Sequence, residues 1–215
     1  ITVGLNRPIV CGTMLGEVKR ERLLTKHGAQ PGDAVLLVRS VPIEGTALIA
    51  LERADVLAAR GYTPEFIARC QQFLHEPGIS VVAPALAAAE LPGVHAMHDP
   101  TEGGVLSGLL EIARAGGTGM AVNLDAIPIL PESATLCREF GLDPLGTIAS
   151  GAILLIVAEP HAAAARAALS AAGYPTAVIG RLTPPDAGLV ALRDGAPVAW
   201  PVFAVDEITK VFGDG

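Results

Sequence analysis

The chain has 215 residues, of which 51% are hydrophobic and 17% charged, and its formal net charge is −7. That length can bury a substantial core in one large domain or two small ones. The acidic balance, without any cluster of lysine or arginine, argues against nucleic acid as a partner. The longest uninterrupted apolar run, residues 152–158, is far too short to cross a bilayer, so no membrane partner is predicted.

The number and spacing of the cysteines indicate the cellular compartment. Cys11, Cys70 and Cys137 are scattered, form no Cys-x-x-Cys pair and are odd in number, which argues against a disulfide framework. Cys137 lies mid-helix beside apolar residues, where a buried structural thiol is the expected interpretation. Together with the absence of any segment that resembles a signal peptide, this usage predicts a cytoplasmic protein.

Hydrophobic periodicity and turn residues predict alternating helices and strands without a strict βαβ rhythm. Thr63 and Pro64 form a favoured pair of helix N-cap and first helical residue. A layered α/β or α+β domain is the expected fold class. In chain order the pattern predicts strands over 8–16 and 35–38, helices over 44–60, 63–75 and 80–90, a short strand over 94–97, a helix that ends at 116–117, a strand over 120–124, a helix over 131–140, a strand over 151–158, a helix over 160–172, and strands over 176–181 and 188–192.

The most informative segment is His98-Asp99-Pro100-Thr101-Glu102-Gly103-Gly104, a predicted strand-to-helix junction. Helix N-termini present unpaired N–H groups and a partial positive charge, so they favour phosphate. Glycines in the first turn let a ligand approach the backbone. An aspartate at the end of a strand can hold Mg²⁺, which keeps several waters and bridges to phosphate oxygens.

The same residues also fit a purely structural interpretation. Asp99 can be an N-cap, Pro100 the first helical residue, and Glu102 the partner in a capping box. That interpretation leaves Gly103 and Gly104 unexplained, because each glycine costs a helix about 1 kcal/mol relative to alanine. The two interpretations are compatible.

Other polar residues have structural interpretations that are at least as good as functional ones. His95 and His98 lie near Asp99 in sequence, but on a strand they point to opposite faces, which disfavours a shared metal site. Residues 147–151 either line a substrate cleft or form a plain loop. Residues 44–46 either face the same cleft or cap a helix.

The Asp-Pro-Thr-x-Gly-Gly pattern resembles the C-terminal-domain motif of the HypE family, within the superfamily of aminoimidazole ribonucleotide (AIR) synthase, selenophosphate synthetase and thiamine-monophosphate kinase. The resemblance is greatest to the AIR synthase-related group and extends from about residue 8 to about residue 193. It is carried by further segments in the order such proteins show: Gln30-Pro31-Gly32-Asp33, Ile43-Glu44-Gly45-Thr46-Ala47, Ala126-Ile127-Pro128-Ile129, Gly141-Leu142-Asp143-Pro144-Leu145 and Val178-Ile179-Gly180.

The resemblance implies a layered α/β/α C-terminal domain of the PurM type, with a ferredoxin-like core, over residues 19–215. Residues 1–18 would then be the last strand and linker of an N-terminal ATP-binding domain, and the chain would be an inactive fragment of a homodimeric enzyme. The resemblance further implies ATP and Mg²⁺ as cofactors. It assigns metal binding to Asp99 and phosphate binding to Thr101, Gly103 and Gly104, and it assigns no residue to the chemical step.

Two departures from HypE affect the expected reaction. Glu102 stands where an arginine is usual, and a carboxylate cannot neutralise phosphate. HypE proteins also end in a tail whose cysteine carries the carbamoyl group, whereas no cysteine follows Cys137 here. We therefore expect an ATP-dependent enzyme that activates a substrate oxygen by phosphoryl transfer, with hydrogenase maturation as one candidate pathway. The alternative is a non-catalytic ligand-binding or assembly module that keeps only the scaffold.

Overall fold

The computed structural model describes residues 9–13 and 15–212. In this described part of the chain, a seven-stranded mixed sheet forms the centre, and eight α-helices and several 3₁₀ turns surround it. Along the chain the elements are β1 (Ala34–Val38), α1 (Ile43–Glu52), α2 (Ala54–Ala59), α3 (Pro64–Gln71), α4 (Val82–Ala89), β2 (Val94–His98), α5 (Gly104–Gly116), β3 (Gly119–Asn123), α6 (Pro131–Glu139), β4 (Ile153–Val157), α7 (Glu159–Ala171), β5 (Thr176–Thr183), β6 (Leu189–Arg193), β7 (Ala196–Val198) and α8 (Thr209–Phe212).

The strand order is β2-β4-β1-β5-β3-β6-β7, and every neighbouring pair is antiparallel except β3 and β6. Strands β1 and β4 lie inside the sheet, pair from Ala34 opposite Val157 to Val38 opposite Ile153, and are buried along their whole length. Burial on both faces is why both strands read as continuous apolar runs. The predicted mixed α/β layering is confirmed.

Successive side chains of β1 point to opposite faces of the sheet and therefore pack in two separate cores. Val35 and Leu37 pack in a cluster with the apolar face of α5, which includes Leu109 and Ile112. Leu36 and Val38 join a second cluster with residues of α4 and α7. Helix α5 therefore covers one face of the sheet and α4 with α7 the other, and β2 delivers its C-terminal end to the start of α5.

Two predicted elements, the strand over 8–16 and the helix over 44–60, differ from the structure. The predicted strand over 8–16 is wrong for residues 9–13 and 15–16, which are exposed and form neither helix nor strand. The N–H and C=O groups of a strand need partners on a neighbouring strand, and no described segment pairs with these residues. Residues 8 and 14 lie outside the described residues, and the assignment of 1–18 to another domain stays a prediction. The helix over 44–60 is two helices, because Arg53 (φ −124°, ψ 25°) breaks it and donates its Nε–H to the Val211 carbonyl at 3.0 Å.

Local sequence signals explain other helix boundaries. Thr63 caps α3 by accepting the Phe66 N–H at 3.2 Å, as predicted. Pro84 is the third residue of α4, where an N–H would have no intrahelical partner, so the ring costs no hydrogen bond. Gly117 ends α5 with φ +62°, a left-handed conformation that glycine adopts without strain.

Within residues 9–13 and 15–212, no helix has both the length and the apolar character needed to cross a membrane.

Candidate functional site

Asp99 follows the last residue of β2 and points into solvent. Its side chain is 62% exposed, and its nearest ionic neighbour is His98, whose Nδ1 lies 3.8 Å from Asp99 Oδ1. A depression of about 190 Å³, bordered by Met97, His98 and Asp99, opens beside it. This position suits a single carboxylate ligand whose other metal ligands would be waters and phosphate oxygens. Among the described residues no group of three or more His, Cys, Asp or Glu side chains is arranged to hold a metal ion.

The glycine turn, residues Thr101–Gly104, connects Asp99 and Pro100 to α5. Gly103 and Gly104 both have positive φ, +78° and +69°, a region that side chains strongly disfavour. The Thr101 carbonyl accepts the N–H of Gly104 at 3.1 Å and that of Ala149 at 3.2 Å. Backbone conformation therefore explains both glycines. The capping interpretation is wrong, because α5 begins at Gly104 after Gly103 without a side-chain cap, so Asp99 and Pro100 lie before the helix.

Gly104 also has no room for a side chain. A Cβ there would lie 2.9 Å from Gly146 Cα and would overlap the Leu145 carbonyl oxygen. That same oxygen accepts the N–H of Leu106 at 3.3 Å. The loop over 143–149, part of which carries the resemblance, is thus packed directly against the start of α5.

The N–H of Gly103 already has a partner inside the chain. Asp206 Oδ2 accepts it at 2.6 Å, while Asp206 Oδ1 accepts the N–H of Ile148 at 3.1 Å and that of Ile208 at 2.8 Å. Sequence reasoning missed Asp206, which lies about 100 positions from the turn. Its only local signal is the capping arrangement ahead of α8, where the Asp206 carbonyl accepts the Thr209 N–H.

The turn is electrostatically negative. The N–H of Glu102 and the hydroxyl of Thr101 stabilise the Glu102 carboxylate and hold its pKa below the ordinary value, so it is charged at neutral pH. Asp99 and Asp206 add two more carboxylates to the same junction. None of the hydrogen bonds or ion pairs seen in the described part of the chain brings a lysine or arginine to these three groups. A phosphate at this turn therefore needs a cation to offset the repulsion.

The two histidines of β2 have separate partners. His95 Nδ1 lies 2.8 Å from Asp33 Oδ2, and Asp33, buried in the turn before β1, also accepts the Gln30 N–H at 2.9 Å. His98 Nε2 lies 2.7 Å from Glu111 Oε2 on α5. The strand register shifts between Val94 and Ala96, so a bulge lies at His95. Each histidine pairs with an acid that anchors β2 to a neighbouring segment.

The segments over 44–46 and 147–151 lie against each other, as expected if both faced one cleft. Their contact is made by backbone groups, and their threonine hydroxyls are buried. The Gly45 N–H donates to the Ile148 carbonyl at 3.3 Å. Thr46 and Thr147 are fully buried, and their hydroxyls donate to Pro42 and Asp143 carbonyls at 2.6 and 2.8 Å. Neither threonine faces a cleft: residues 147–151 form a loop, as one interpretation expected, whereas the capping interpretation is wrong for residues 44–46, because α1 begins at Ile43 after Pro42 without a side-chain cap. Cys137 is likewise buried, and burial raises the pKa of its thiol to about 12.

Comparison with known proteins agrees with the resemblance. The profile of the family described as "AIR synthase related protein, C-terminal domain" matches residues 30–191. Among curated proteins, "Carbamoyl dehydratase HypE" of Rhodobacter capsulatus is 33% identical over 184 residues, which cover 83% of this chain and 50% of that protein. The chain thus spans about half the length of this relative.

Solved structures share the fold. A structure of hydrogenase maturation protein HypE in complex with ATP superposes with a TM-score of 0.65 at 22% identity, covering 91% of this chain and 57% of that one. A structure of AaThiL complexed with AMPPCP and TMP gives a TM-score of 0.57 at 19% identity, covering 84% of this chain and 54% of that one. These likenesses confirm the predicted fold class.

Proposed function

Because the chain belongs to the family of AIR synthase related C-terminal domains, we propose that it is the phosphate-facing domain of an ATP-dependent enzyme. The enzyme would pass the γ-phosphate of ATP to a carbonyl, amide or carboxyl oxygen and so activate it. The observation that carries the proposal is the exposed Asp99 carboxylate at the junction of β2 with the glycine turn. Solved structures of the same fold contain ATP in one case and the analogue AMPPCP in another, which supports a nucleoside triphosphate as the ligand.

Each residue of the junction has a role in this proposal. Asp99 supplies one oxygen ligand to Mg²⁺, which neutralises charge on the phosphates when bound. Thr101 is exposed beside it and faces the phosphates, while the positive-φ backbone at Gly103 and Gly104 keeps the turn free of bulky side chains. Catalysis rests on positioning and charge neutralisation, as in other phosphoryl transfers. The remaining ligands come from an N-terminal domain to which residues 1–18 lead, in a homodimeric cytoplasmic protein of hydrogenase maturation.

The test is a thermal-shift titration with Mg²⁺ and ATP, on this chain and on the complete protein that we propose contains it. A ligand at 100 times its Kd adds about 2.7 kcal/mol to the free energy of unfolding. We expect a magnesium-dependent rise in the Tm of the complete protein and none in this chain. A clear shift in this chain would contradict our placing of the nucleotide mainly in another domain.

Asp99→Asn tests the metal ligand. Asp99 is exposed, so the variant should keep its Tm without ligand, lose the magnesium-dependent shift and lose turnover by orders of magnitude. Asp186→Asn, a matched change at another exposed aspartate, is the control. If Asp99→Asn behaves like the control, Asp99 is not part of the site. Nucleotide binding without turnover in the wild-type protein would favour the non-catalytic module instead.

A further inference from the structure

One carboxylate joins three segments that are far apart in sequence. Asp206 accepts N–H groups from Gly103 in the glycine turn, from Ile148 in the loop before β4, and from Ile208 two residues along. Hydrogen bonds to a charged acceptor are shorter and about twice as strong as neutral ones. Since Gly103 directly precedes α5, its N–H is among those that a helix start leaves without an intrahelical partner.

The segment that carries Asp206, residues 203–211, is held in place independently. The Phe203 ring covers Gly146 so closely that a Cβ there would lie 2.5 Å from it. The Glu207 N–H donates to the Gly146 carbonyl at 3.1 Å, and Glu207 Oε2 accepts the Asp143 N–H at 3.0 Å. Val211 is buried in the cluster formed with α1, α3 and α6. The backbone that carries Asp206 is therefore held in place by contacts that do not involve its carboxylate.

We propose that Asp206 is a positioning residue that fixes the glycine turn. By holding the Gly103 N–H, it sets the path of the backbone that carries Asp99 and Thr101, both of which are exposed. The negative charge of Asp206 strengthens its hydrogen bonds with backbone N–H groups, and phosphate is bound by the exposed side of the turn. The first half of this inference stands on the hydrogen bonds alone; its consequence for nucleotide rests on the proposed function.

Amide hydrogen exchange tests the first half in this chain, without nucleotide. In Asp206→Asn, which keeps the side-chain shape but loses an acceptor, we expect the Gly103 or Ile148 amide to exchange roughly tenfold faster or more. Glu207→Gln is the matched control on the same segment; it should speed exchange of the Asp143 amide and leave that of Gly103 unchanged. Wild-type exchange at both Gly103 and Ile148 in a folded Asp206→Asn variant would overturn the proposal.

Nucleotide binding by the complete protein tests the second half, well below the Tm of each variant. Positioning predicts that Asp206→Asn weakens MgATP affinity roughly tenfold, whereas a residue that only stabilises the fold would lower the Tm and leave affinity unchanged. In the wild-type protein, MgATP should leave the protected Gly103 amide protected. Loss of that protection would mean that nucleotide binding releases the Gly103 N–H from Asp206, which overturns the positioning role. If wild-type protein binds no MgATP, the proposed function fails, while the exchange result still decides whether Asp206 fixes the turn.

Discussion

Replacing Gly104 by alanine tests two reasons why α5 begins with a glycine: the left-handed backbone conformation and the lack of space for a side chain. A left-handed conformation costs a residue with a side chain about 1–2 kcal/mol, and Gly104 has φ +69°. Its Cβ would in addition lie 2.9 Å from Gly146 Cα, a backbone atom that can move only with its loop. Overpacking of this kind costs about 1–3 kcal/mol. We therefore expect Gly104→Ala to lower the free energy of unfolding by about 2–5 kcal/mol.

Gly117→Ala is the matched control, because Gly117 has φ +62° but open space around its missing Cβ. It should cost only the conformational part, so that Gly104→Ala is about 1–3 kcal/mol worse. Urea unfolding followed by fluorescence of Trp200, the single tryptophan, which packs against the first core, gives both values at unchanged m. Equal losses in the two variants would refute the argument that the loop over 143–149 requires glycine at 104.

Two further predictions concern buried groups. Burial raises the pKa of the Cys70 thiol to about 11 and that of the Cys137 thiol to about 12. At pH 8 a thiol reagent should therefore label only the exposed Cys11 in the native chain, and all three cysteines in urea. Labelling of the native Cys11→Ser variant would contradict this assignment. Thr46→Val should cost about 1–3 kcal/mol in urea unfolding, because it leaves the buried Ser133 hydroxyl without its 2.7 Å partner. Adding Ser133→Ala should then cost less than it does in the wild-type chain, and strict additivity would show that the two hydroxyls do not interact.

Much of the fold follows from local sequence. The run that forms β4 is apolar at every position, which indicates a strand buried on both faces, and the structure buries all of it. Thr63 with Pro64 and Gly117 fix helix ends through hydrogen bonds and a φ angle that depend on adjacent residues only. The junction that begins at Asp99 was likewise recognisable, because strand, turn and helix are contiguous there.

Only tertiary structure decided what the junction contacts. Helix α1 ends at Glu52, and the side chain of Arg53, the next residue, donates to the Val211 carbonyl, a partner about 160 residues away that no local pattern indicates. Gly104 is constrained by a loop that follows 40 residues later, and the Gly103 N–H is bound by Asp206 from the end of the chain. Propensity and capping act over a few residues, whereas these contacts depend on which segments the sheet brings together. The sequence alone therefore determined the strand-to-helix junction and its glycines, and packing determined which carboxylate faces solvent and which one holds the turn.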